Sequence, residues 1–228
     1  MNSEQIRNNA VKKLEDISDS LKIMSHVFEQ YSDGIANKKL GSFETLSALS
    51  LRYRTSEDIV SESEQTLSLQ HEMAFQSLFN VFEAAVFDLL SIYYVRNPEC
   101  LSKNKQLTFG EVIESASYNN VVNKMVAKEL NSIAYDSISK WIKVINKALK
   151  FQVLDDDESG ELSEMKVTRN IIVHAGSVYN EIYLETSGSY AKHAIGDHVV
   201  IDESYLINTH LLLRKVIDVV ADRVEELA

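Results

Sequence analysis

The stretch MAFQSLFNVFEAAVFDLLSIY, residues 73–93, sets the fold class. Its apolar residues (Met73, Phe75, Leu78, Phe79, Val81, Phe82, Ala85, Val86, Leu89, Leu90, Ile92 and Tyr93) point to most sides of a helix. A helix that is apolar on most sides is buried on most sides. The helical pattern reaches back to residue 57 and forward to Arg96. Asn97-Pro98 stops it, because a residue before proline disfavours the α region. We read 57–96 as the central helix of a bundle. Glu83 interrupts the apolar pattern, and a buried carboxylate needs a partner.

The flanks carry the same helical period. Ile6, Ala10, Leu14, Ile17, Leu21, Met24 and Phe28 recur at spacings of three or four and predict an amphipathic helix over 3–31. Asp33-Gly34 is expected to break it, with a loop over 34–42 and a second helix from Phe43 to Tyr53. Downstream, Thr108 and Glu111 form a capping-box pattern that opens a short helix to about Ser117. Helices are expected at 119–132 and 134–150, the latter with Trp141, Ile142, Ile145 and Leu149 on one face. The acidic run 155–164 reads as a solvated loop feeding a helix start, where carboxylates complement the helix dipole. A helix from Glu161 to Leu184 follows, then a loop or small hairpin over 185–201, and a last helix from Glu203 to Leu227. The fold class is all-α, and the chain should be at least ~60% helix, against the usual ~30–35%.

Composition agrees. One proline and seven glycines in 228 residues are too few turn-formers for a β-sandwich. Cys100 is the only cysteine, so neither an internal disulfide nor a thiolate zinc site can form. No run reaches the ~18 consecutive apolar residues of a membrane span, and no signal peptide is visible, so a cytoplasmic protein is expected. The net charge of −11 argues against duplex DNA as a partner, because that binding needs many phosphate contacts. It leaves room for a small basic cleft. No cofactor or metal is expected.

Chemistry concentrates in Arg169-Asn170-Ile171-Ile172-Val173-His174. On a helix Asn170 and His174 are one turn apart and share a face, and the long Arg169 side chain can sweep back towards it. Guanidinium, amide and imidazole are what metal-free phosphoryl transfer on RNA requires. Arginine grips non-bridging phosphate oxygens through planar, permanently charged donors. Histidine moves protons near neutrality. The RNA 2′-hydroxyl supplies the nucleophile. The plainer reading also stands: an arginine paired with an acid and a histidine satisfied inside a bundle.

The stretch 167–176, VTRNIIVHAG, resembles the signature of the HEPN superfamily: an arginine, four to six residues, then a histidine, often with a polar residue straight after the arginine. The resemblance covers 70–228, with 1–69 as an N-terminal helical extension of the same globule. It implies a HEPN-like helical bundle that forms a homodimer, with two motif helices facing each other across a two-fold. It further implies a metal-independent endoribonuclease that leaves a 2′,3′-cyclic phosphate, in a toxin or antiviral defence role. An antitoxin or regulatory protein would then be a partner besides RNA. Carried over, Arg169 and His174 are catalytic and Asn170 is the supporting polar residue. Glu83 is expected behind Arg169 as its positioning partner, although contact with another cation fits the pattern equally well. The alternative is a non-catalytic HEPN-like module that binds a nucleotide or a partner.

Remaining candidates are plainer. His193 and His198 read as exposed loop histidines. His71 and Glu72 lack a metal spacing. His210 falls at a core edge. Arg52, Arg54, Arg96, Lys103 and Lys105 read as solvated charges, and Cys100 has no sequence neighbour that marks a nucleophile.

Overall fold

Residues 1–37 and 63–227 are described by a computed structural model, 78% helical and without strands. Eight α-helices are found among them: α1 (Ser3–Ala36), α2 (Ser63–Arg96), α3 (Phe109–Glu114), α4 (Tyr118–Ala134), α5 (Ile138–Leu149), α6 (Asp156–His174), α7 (Glu181–Ser187) and α8 (Glu203–Glu226). The expected helix Phe43–Tyr53, Arg52 and Arg54 lie outside the described residues.

The α2 helix is central because its apolar residues face several neighbours at once. Phe75, Phe79, Phe82, Leu89 and Leu90 are buried, and Phe75, Phe79 and Phe82 form a chain of edge-on ring contacts with centroids 5.3 and 6.2 Å apart. Each such side chain contributes about 1.5–3 kcal/mol on burial. Part of α2, within Gln65–Arg96, is long and apolar enough to cross a bilayer by composition, although no unbroken apolar run occurs. Its packing against α1, α4, α6 and α8 accounts for that apolarity as a core helix. Ile6, Ala10 and Leu14 of α1 are buried in the same core. α1 runs through Asp33 and Gly34 to Ala36, past the expected break; one glycine costs a helix only about 1 kcal/mol.

The helix carrying the motif differs from expectation at both ends. The acidic run 155–164 is its cap and first turns rather than a loop. Asp155 caps the helix by accepting from Glu158 N at 2.8 Å, and the Glu158 carboxylate accepts from Asp155 N in return. Asp156, Asp157 and Glu158 then face the positive end of the dipole. The helix stops at His174 instead of continuing to Leu184, because Gly176 and Ser177 adopt φ of +64° and +57°. The chain doubles back there. Val178 bridges His198, with Tyr179 N donating to Asp197 O and Val199 N to Ser177 O. This isolated bridge, with α7 and a 3₁₀ turn at Gly188–Tyr190, stands where a loop or hairpin was expected.

Candidate functional site

The α6 helix lies antiparallel to α2, and polar side chains cross between them in rungs. Lys166 pairs with Glu83, Arg169 Nη2 donates to Asn80 Oδ1 at 3.1 Å, and Ser177 Oγ donates to Glu72 Oε2 at 3.3 Å. Glu83 therefore holds Lys166, one turn before Arg169, rather than Arg169 itself. Lys166 is the better partner because its stem lies in the core, with Nζ 5.8 Å from the Phe79 ring centroid and 5.4 Å from Trp141. Burial pulls the Lys166 ammonium below its ordinary pKa, the Glu83 carboxylate opposes this, and the nearby Arg169 charge adds to the lowering.

Arg169 is held differently. Its Nη1 donates to Asn170 Oδ1 at 3.3 Å and its Nη2 to Asn80. Both acceptors are neutral amides. No carboxylate pairs with the guanidinium among the described residues, and its Nε is buried without a hydrogen-bond partner. An arginine anchored by amides keeps its whole charge for an outside anion. His174 is the last residue of α6 and is exposed, as is Val173 beside it at 42%. The imidazole makes no hydrogen bond to Arg169, to Asn170 or to any other described residue. The structure thus brings Arg169, Asn170 and Asn80 together and leaves His174 open to solvent at the helix end. Asn80 was not singled out from the sequence. It lies one turn before Glu83, on the face that meets α6.

A second polar centre, absent from the sequence expectations, surrounds Glu164. Glu164 is 0% exposed. Its Oε1 accepts from Tyr183 OH at 2.9 Å and Thr168 Oγ1 at 3.2 Å; its Oε2 accepts from Tyr205 OH at 2.8 Å and meets Lys192 Nζ at 3.5 Å. One carboxylate thus ties α6 to α7, α8 and the loop between them. Burial, with the Glu164 charge adding, raises the Tyr183 and Tyr205 hydroxyls above the ordinary phenol pKa. Tyr179, which stacks on His193 with centroids 4.6 Å apart, is pushed up by burial to about 12. His193 is therefore packed rather than a free loop histidine, while His198 is exposed. The sequence held a signal for this centre. Glu164, Val167, Thr168 and Ile171 follow i, i+3, i+4, i+7, which puts the acid on the core stripe.

Other candidates lie elsewhere. His71 Nδ1 is 2.8 Å from Ile201 O, and His210 Nδ1 is 2.8 Å from Ser18 Oγ. The Cys100 thiol lies 3.3 Å from Tyr93 OH. Arg96 closes α2, ~24 Å along the helix from Asn80. Among the described residues no group of three His, Cys, Asp or Glu side chains could hold a metal ion. No family model matches this chain, and no curated protein or solved structure matches it.

Proposed function

We propose that the chain is an RNA-cleaving enzyme whose site is built on the exposed end of α6. The observation that carries this reading is the state of Arg169: a guanidinium aimed by two amide oxygens and, among the described residues, opposed by no acid, on the helix that ends in an imidazole with no hydrogen-bond partner among them. The likeness of residues 167–176 to the HEPN signature supports the same reading. Arg169 binds the scissile phosphate, and Asn170 and Asn80 fix its direction. His174 moves protons. The 2′-oxygen attacks phosphorus as the bond to the 5′-oxygen breaks, so the products are a 2′,3′-cyclic phosphate and a free 5′-hydroxyl.

One arginine and one histidine make a thin site. The reaction needs a base for the 2′-hydroxyl and an acid for the leaving oxygen, and one imidazole cannot serve as both at once. Two copies related by a two-fold supply two of each from a single surface patch. The exposed Val173, between Arg169 and His174 on α6, gives such a patch an apolar centre. A role in defence or as a toxin, and control by an antitoxin or regulatory protein, extend this proposal.

The test is cleavage of a single-stranded RNA in EDTA, with products resolved by mass and sedimentation run on the same sample. The expected result is a dimer giving 2′,3′-cyclic phosphate ends without divalent metal. Cleavage that needs added magnesium sinks the mechanism. Tight RNA or nucleotide binding without cleavage supports the non-catalytic module in its place.

A further inference from the structure

A groove of about 630 Å³ opens between α1 and α8 over His71, Ala74 and Leu78 of α2. The two helices run antiparallel and are cross-linked along much of their length. Arg7 pairs with Asp222, Arg214 Nη1 meets Glu15 Oε1 at 2.9 Å, and Ser18 Oγ lies 2.8 Å from His210 Nδ1. Beyond Ser18 the links stop. No hydrogen bond or ion pair joins residues 19–29 of α1 to residues 203–209 of α8 among the described residues. Beneath that stretch the half-buried Ala74 and the buried Leu78 of α2 form an apolar floor. On the α8 wall Ile207 and Leu211 are 44% and 58% exposed although they face this groove.

We propose that this groove docks a basic amphipathic helix of a partner protein. Size and shape suit a helix. Residues 18–29 of α1 form a wall ~17 Å long, about three turns, enough for apolar anchors at i, i+3, i+4 and i+7 of a bound segment. The charge of the rim selects the partner. Glu15 is answered by Arg214, but Asp19, Glu29 and Glu203 have no ion-pair partner among the described residues, and among those residues Lys22 is the one lysine or arginine lining the groove. Three unpaired acids against one base leave the rim acidic on a chain of net charge −11. Complementary charge steers encounter and rejects like-charged partners. A second copy of this chain is disfavoured for the same reason, since a two-fold contact would set one acidic rim against another. An anionic lipid surface is disfavoured likewise.

The experiment titrates full-length chain into two labelled synthetic helices of about 14 residues, ~21 Å long, with leucine at the anchor spacing and either lysine or glutamate elsewhere, read by fluorescence anisotropy. The leucine–lysine helix should bind, and the leucine–glutamate helix should bind at least about tenfold more weakly. Leu211→Lys, at an exposed position, should cost the first helix at least about tenfold with an unchanged melting temperature. Should that variant unfold, Ile207→Ser carries the same comparison. His174→Ala should bind the helix like the natural chain, which separates this inference from the ribonuclease reading. Equal affinity for both helices, undiminished binding to Leu211→Lys, or no binding at all overturns the proposal. So does a dimer that Leu211→Lys converts to monomer, because a second copy would then be the occupant.

Discussion

The two halves of α6 treat their polar residues in opposite ways. In the first half Glu164 is completely buried, with three hydroxyl donors and an ammonium around it, and Lys166 lies against Glu83 and two aromatic rings. In the second half, among the described residues, Arg169 has neutral acceptors and no acid, its Nε has no partner, and His174 faces solvent. Burial explains the first arrangement. A carboxylate or ammonium taken out of water persists only where other groups replace the water. It does not explain the second, where stability would favour pairing Arg169 with the nearest carboxylate. Glu83, one turn along α2 from Asn80, is committed to Lys166. The saturated half holds the helix in place, and the unsaturated half is left able to bind something else.

The sharpest way to break this contrast is to remove the unsaturated groups. Arg169→Ala and His174→Ala should each lower RNA cleavage by about 10²–10⁴-fold, the range typical of lost general acid–base catalysis or of a lost preorganised charge. Neither should shift the melting temperature appreciably, because neither side chain completes a buried network. Arg169→Lys should be nearly as poor, since an ammonium cannot reproduce a planar two-point grip. If His174→Ala cleaves RNA at the natural rate, the exposed imidazole has no part in the chemistry.

The saturated half should answer in the opposite sense. Glu164→Ala leaves the hydroxyls of Thr168, Tyr183 and Tyr205 without their acceptor. Orphaned buried donors cost about 1–3 kcal/mol each, so the loss should reach about 3 kcal/mol. For a chain of this size that is about 10 °C in melting temperature. Cleavage per folded molecule should stay close to that of the natural chain, measured well below the transition. A variant that melts normally, or one that stays folded and loses cleavage, would place Glu164 in the functional half.

The sequence reveals these two halves unequally. The contents of α2 were legible because a helix apolar on most sides has only one place in a bundle. Caps written within a few residues were legible too, and Thr108 and Glu111 form the expected reciprocal pair. The ends of α6 differ from the expected ones because two local features override the helical pattern. Asp155 and Glu158 form the same kind of box inside an acidic run, and Gly176 begins a turn through positive φ rather than sitting within a helix. Arg169, Asn170 and His174 could be picked out because all three lie within six residues. The partners of Glu83 and Glu164 could not, because Lys166 is 83 residues from Glu83, and Tyr183, Lys192 and Tyr205 come from three other segments. Pairings of that kind are set by how helices pack, which local spacing does not record.

Asn80 should give the smallest effect and the most discriminating one, because it touches the unsaturated half without belonging to the motif. Its Oδ1 accepts from Arg169 Nη2 at 3.1 Å on an exposed surface. Asn80→Ala removes one hydrogen bond from a charged donor, worth about 1.5 kcal/mol at this exposed position, which corresponds to a loss of roughly 12-fold in cleavage. Asn80→Asp keeps the acceptor in place and adds a charge, so its contact with Arg169 should become stronger. If Arg169 served only to fasten α6 to α2, this substitution would be harmless or slightly stabilising, with exposed pairs contributing about 0–1 kcal/mol. If instead the guanidinium must stay free for a phosphate, the new carboxylate competes with the substrate. Cleavage should then fall further than in Asn80→Ala, mostly through a raised KM, while the melting temperature holds or rises. An Asn80→Asp variant that cleaves RNA better than Asn80→Ala would show that Arg169 does not need to remain unpaired, and the distinction between the two halves of α6 would lose its functional meaning.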